Sequence, residues 1–164
     1  MNLLGKISAG LVQLERWASR FLVVGFVGLI VANVGMRYLV GRPIIFAEEL
    51  AAIMLVWLAF IATSISIHTR AQIGVTLLVD NFSVTWRRLI DLLVWLLITI
   101  MLAILLKAGV TWVRSPVVEF EQVITTGWAK APFFTIFPIF CACALIHALA
   151  HVARAAGEIR EKKA

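Results

Sequence analysis

Three histidines, two cysteines and a few carboxylates are the residues of this sequence that could do chemistry. His147 and His151 stand one helical turn apart, a spacing that allows two imidazoles to share a metal ion, and His68 is the only other histidine. With no cysteine or carboxylate assigned to the same stripe, the pair reads as interfacial histidines and not as a metal or haem site. Cys141 and Cys143 are two positions apart, which on a helix turns them to opposite sides. Neither a disulfide nor shared ligation follows, and both read as small apolar fillers. The sequence has no glycine-rich phosphate loop, no nucleophile elbow and no paired carboxylates inside an apolar segment. No catalytic, substrate-binding or metal-ligating residue is therefore assigned, no cofactor is implied, and the chain does not read as an enzyme.

The elements that must position these residues are set by composition. The sequence is 62% hydrophobic and 15% charged over 164 residues, with a mean hydropathy of +1.00, too apolar for a domain whose whole exterior faces water. About 20 apolar residues cross a bilayer, and four stretches qualify, at 21–39, 50–67, 89–106 and 132–150. The expectation is an all-α membrane protein, 1–164 forming a single integral membrane domain. Met1 to Arg20 lacks a compact apolar run and a small-residue cleavage site, so it does not read as a secretory signal.

A net charge of +6 could suggest nucleic acid, but its distribution argues for lipid. Ten of the fifteen Lys and Arg fall in the N-terminus, the middle loop and the C-terminus, and five fall on the opposite side of the spans. Four spans put both termini on one face, and the excess of positive charge makes that face cytoplasmic. Phospholipids, and no nucleic acid, are the expected contacts of the basic residues.

Along the chain, Leu3, Ile7, Leu11, Leu14 and Ala18 recur at three and four residues. They predict an amphipathic helix over about 3–19, lying on the inner leaflet with Trp17 at headgroup depth. A second surface helix is expected at 71–82. Trp86, Arg87 and Arg88 then anchor the start of span three, whose helical pattern runs from about Val84 to Arg114, where Ser115 and Pro116 break it. Gly25, Gly28, Ala32 and Gly35 fall along one face of span one and predict a close helix contact, with a neighbour in this chain or in another. Asn33, Thr63, Ser64, Ser66 and Thr99 are expected to bond back to their own helices. Arg37 and Arg42 lie across a short outer turn from Glu48 and Glu49, either as an interfacial salt-bridge cluster or as a docking site. With no Asp, Glu, Lys or Arg at the centre of a span, the chain does not read as a self-contained ion-coupled pump.

The stretch Arg37 to Asp80, RYLVGRPIIFAEELAAIMLVWLAFIATSISIHTRAQIGVTLLVD, resembles the signature region of the small permease subunit, of DctQ type, of tripartite ATP-independent periplasmic (TRAP) transporters. Arg37 closing span one, Phe46 before the Glu48–Glu49 pair, Trp57 within span two and Asp80 after Val79 match that pattern. Gln72 stands where the family often has His, His68 where a basic residue is frequent, and Ala59 and Ala62 where Gly is common.

The resemblance implies a bacterial inner-membrane scaffold bound to a large membrane subunit of DctM type, which holds the sodium and substrate sites. It also implies a periplasmic substrate-binding protein that delivers an organic anion, a carboxylate or a sulfonate. Gly25, Gly28, Ala32, Gly35, Trp57, Arg37, Arg42, Glu48 and Glu49 are the expected residues of helix packing or partner contact. Two other classes are weighed against it. A four-helix redox protein would hold haem or quinone through His68, His147 and His151, and a small drug exporter would use Glu48 or Glu49 as proton carrier.

Overall fold

The computed structural model describes residues 3–70 and 84–161; the surface helix expected over 71–82, with Gln72 and Asp80, lies outside them. Helix α1 spans Leu3–Gly35 and continues into a π-helical turn, Met36–Val40. Helix α2 is Ala47–Thr69 and helix α3 is Val84–Val113. Two single turns follow, α4 at Pro116–Glu119 and α5 at Ala131–Phe134, before the last long helix, α6, Ile136–Glu161. The described residues contain no strand, and α1, α2, α3 and the α5–α6 run are long and apolar enough to cross a membrane. Each overruns the apolar segment expected for it.

Helix α6 is the hub, packing against α3, α2 and α1, while α2 also packs on α1. Its small residues allow this. Ala144 and Ala148 are buried with Ile67, Trp95 and Leu102 in the core cluster, and small side chains let helix backbones approach where lipid supplies no hydrophobic drive. Gly109 of α3 is a second close approach, since a Cβ there would lie 2.7 Å from the Phe137 ring of α6. Gly5 stands within 3.6 Å of the Arg154 guanidinium, as measured from the Cβ it lacks, which brings the start of α1 and the end of α6 to the same end of the bundle.

The N-terminal stretch differs from expectation. The amphipathic segment at 3–19 and the span that follows form one unbroken helix, about 50 Å long at about 1.5 Å per residue. Neither Gly nor Pro stands between Leu11 and Gly25 to interrupt the backbone ladder. Its buried side is Gly5, Ser8, Val12 and Glu15, enclosed by α2 and α6, whereas Leu3, Ile7 and Leu14 point outward. The segment is thus part of the bundle, and its apolar stripe faces away from the protein.

The turn between α1 and α2 is built by side-chain capture. Gly41 adopts φ +70°, open to glycine at little cost, and its N–H and that of Arg42 both reach the Met36 carbonyl, closing the wide π turn. Asn33, buried in α1, accepts from the Ile44 N–H at 2.8 Å. This replaces the bond to its own helix that the sequence suggests: the chain turning back past Pro43 leaves an amide without a ladder partner, and Asn33 is within reach. Thr63 and Thr99 do bond back, to the carbonyls of Ala59 and Trp95.

Candidate functional site

The buried polar groups at the end of the bundle that holds the start of α1 converge on one place. Glu15 of α1 is 7% exposed, and its carboxylate accepts from the Ser64 hydroxyl of α2 at 2.6 Å and meets Nε2 of His147 of α6 at 3.1 Å. His147 is fully buried, and its Nδ1 lies 2.7 Å from the Ser8 hydroxyl, which is also 2.8 Å from Nδ1 of His68. With both histidines neutral, the donors and acceptors form a consistent set. His147 donates from Nε2 to the carboxylate and accepts at Nδ1 from Ser8, and Ser8 accepts from the Nδ1–H of His68. The chain of bonds joins α1, α2 and α6 and ends on a charge that would be costly to leave alone in an apolar interior.

One turn further along α6, His151 does a different task. Its Nδ1 accepts from Nε of Arg70 at 3.0 Å, which leaves the proton on Nε2, and that nitrogen reaches the carbonyls of Ile67 and His68, each at 3.1 Å. These are among the last carbonyls of α2, where Ile67 also accepts from the Arg70 N–H at 3.3 Å, so His151 caps α2 from the side. Arg70 takes a left-handed conformation, φ 55°, at the end of that helix and lies over the Trp95 ring, which stacks on His151 at 4.1 Å between centroids. Asp91 accepts from Arg70 at 3.5 Å and from the Trp95 indole at 3.2 Å.

The interfacial reading of these histidines is corrected here: His147 and His151 are buried, and hydrogen bonds inside the protein engage both ring nitrogens of each. Among the described residues no group of three or more His, Cys, Asp or Glu is placed to hold a metal ion.

At the opposite end of the bundle, the adjacent carboxylates of α2 take separate partners. Glu48 pairs with Arg37 at 3.0 Å, both side chains exposed, and this bridge ties the end of α1 to the start of α2. Glu49 turns the other way. Its carboxylate accepts from the backbone N–H groups of Ile124 and Thr125, each at 3.1 Å, and from the Thr125 hydroxyl at 2.9 Å. The pair therefore divides between a helix–helix tie and a loop clasp, instead of forming one cluster with Arg37 and Arg42. Arg42 is exposed on the turn.

Trp57 belongs to the same end. Its indole N–H donates to the Phe133 carbonyl at 2.8 Å, at the break between α5 and α6. Pro138 has no N–H to offer the Phe134 carbonyl four residues back, so the helical ladder is interrupted beside this bond. Beside it an apolar cleft of about 540 Å³ is walled by Trp57, Phe60, Trp112, Phe134 and Phe137. Its two charged residues are already occupied, Glu49 with the loop and Lys130 with Glu121 at 3.1 Å, so the cleft offers no converging polar groups for a solute.

The small-residue face of span one divides. A Cβ at Gly25 would lie 2.8 Å from the Met54 methyl of α2, a contact within the chain, whereas Gly28 and Gly35 have nothing within 4 Å and Ala32 is exposed. Trp17 is exposed beneath the Arg20 guanidinium, 5.0 Å from its ring centre, and Trp86 and Arg87 are exposed at the start of α3 beside the half-buried Arg88. What residue patterning missed is the Glu15–His147–Ser8 chain. Its one available signal is periodic: Ser8, Val12 and Glu15 share a face of α1, and His147 and His151 share a face of α6 that Cys143 joins one turn earlier, which corrects the expectation that no cysteine lies on that stripe.

The model of a family described as "Tripartite ATP-independent periplasmic transporters, DctQ component" matches residues 26–158. No curated protein matches the chain.

Proposed function

The chain belongs to the DctQ-component family of tripartite ATP-independent periplasmic transporters, a family of membrane transporter subunits, and on that premise we propose that it is the small scaffold subunit of a sodium-coupled importer. It binds a large DctM-type membrane subunit that holds the sodium and substrate sites. A periplasmic binding protein brings the cargo, an organic carboxylate or sulfonate. The chain sits in the bacterial inner membrane with both termini cytoplasmic, the side favoured by its Lys and Arg distribution.

The observation that carries this reading is the closure of the polar groups. A transport site needs polar atoms free to exchange partners with a solute or an ion. Among the described residues no buried side-chain nitrogen or oxygen lacks a hydrogen-bond partner, and the largest polar chain is used to fasten three helices together. Such a bundle supports a rigid body against which another subunit moves, and gives no path through itself. It catalyses no reaction.

The open part of the α1 face, Gly28 with Ala32 and Gly35, is where a helix of the large subunit packs. Co-expression with a tagged large subunit tests this. The native chain is recovered in the affinity eluate, and Gly28→Leu, which places a bulky side chain where nothing of this chain stands within 4 Å, reduces recovery by roughly tenfold while leaving the chain folded. An undiminished yield removes that face from the interface.

A further inference from the structure

The outer loop between α3 and α6 presents large apolar side chains on a backbone that cannot fold over them. Ile124 is 89% exposed, Phe120 81% and Val117 77%, with Trp128 at 55%. The frame beneath is fixed. Val118 and Val123 are buried, Val123 and Trp128 are joined by a 2.7 Å backbone bond, Gly127 makes the turn at φ +72°, and the Lys130 N–H reaches the Glu121 carbonyl at 2.8 Å. Glu49 holds the tip from below through Ile124 and Thr125. An exposed apolar patch on a rigid frame marks a contact surface.

We propose that this loop, residues 116–130, is a membrane-inserting element that sinks Ile124, Phe120 and Val117 into the headgroup–acyl boundary of the outer leaflet. Height is the first argument. Helix α3, Val84–Val113, measures about 45 Å at about 1.5 Å per residue, the thickness of a bilayer with its headgroups, so it delivers the chain at the outer interface only three residues before the loop begins. Composition is the second. Trp128, Trp112 and Tyr38 are exposed at this end together with Arg42 and Arg114, the aromatic and cationic mixture that settles at headgroup depth. Continuity is the third, because the exposed Leu39, Val40 and Ile45 of the neighbouring turn prolong the apolar surface of the spans to the same level. The element acts as an outer-leaflet float, fixing the height of Glu49 and the start of α2. It rests on the spanning architecture and is independent of the transported solute.

The test uses the full chain with Cys141 and Cys143 replaced by alanine and Ile124→Cys labelled with bimane, in phosphatidylcholine nanodiscs with and without a nitroxide high on the acyl chain. The nitroxide lowers emission roughly twofold or more, and aqueous iodide leaves it nearly unchanged, whether or not the large subunit is present, as expected for a side chain at the acyl boundary. Strong iodide quenching with no nitroxide effect puts the loop in water and overturns the proposal. Nitroxide quenching that disappears on adding the large subunit or the binding protein overturns it in favour of a protein interface. Phe120→Cys, read in the same way, takes the place of Ile124→Cys should that variant lose helicity.

Discussion

Glu15 shows how a single residue changes meaning between sequence and fold. In the sequence it is one polar position of an amphipathic stretch, and its partners lie far away: Ser64 is 49 positions on and His147 is 132. Periodicity records which face a residue occupies but not what that face meets, so the convergence of Ser8, Glu15, Ser64, His68 and His147 was not legible. The arrangement predicts an asymmetry. His147→Leu strips the carboxylate of its imidazole and leaves a buried charge held by Ser64, costing about 3–5 kcal/mol. Glu15→Gln keeps a carbonyl for Ser64 and costs less, about 1–3 kcal/mol. Thermal unfolding in detergent, followed by helical circular dichroism, orders the two; a His147→Leu midpoint equal to that of the native chain would remove the network from the account. His151 carries the same lesson in milder form, because the sequence reads it and His147 alike as interfacial histidines, while the fold gives one histidine to a carboxylate and the other to the end of α2.

At the scale of elements, what hydropathy controls was legible and what contact controls was not. Four apolar segments became four long helices, and α3 stops at Val113, just before the Ser115–Pro116 pair, because Pro116 cannot extend the preceding ladder. That α1 runs unbroken from Leu3 was hidden, since a change from amphipathic to fully apolar pattern resembles a boundary even where no residue bends the backbone. The Glu48–Glu49 pair was visible as a motif, but its division was not, because the loop it clasps lies 75 positions away. The clasp gives an element-scale prediction. Glu49→Ala releases both amides it holds, and hydrogen exchange at Ile124 and Thr125 quickens by about tenfold or more while α2 and α6 keep their protection. Unchanged exchange at those amides would mean that the loop is held by its own turn alone.

At the scale of the whole molecule, the described residues form a hub helix packed by three others, one end fastened by a buried carboxylate and the opposite end by an indole, a clasp and a salt bridge. Each of these devices reduces freedom, which suits the stationary scaffold proposed above. The family assignment names a tripartite transporter, and in the proposed complex the open side of α1 near Gly28 is where the large subunit attaches. Solute uptake by proteoliposomes under an imposed sodium gradient tests the account most directly, with the chain reconstituted alone and then with its large subunit and the loaded binding protein. The account predicts accumulation only in the complete system and none above empty liposomes for the chain alone. Sodium-driven accumulation by the chain alone would contradict it.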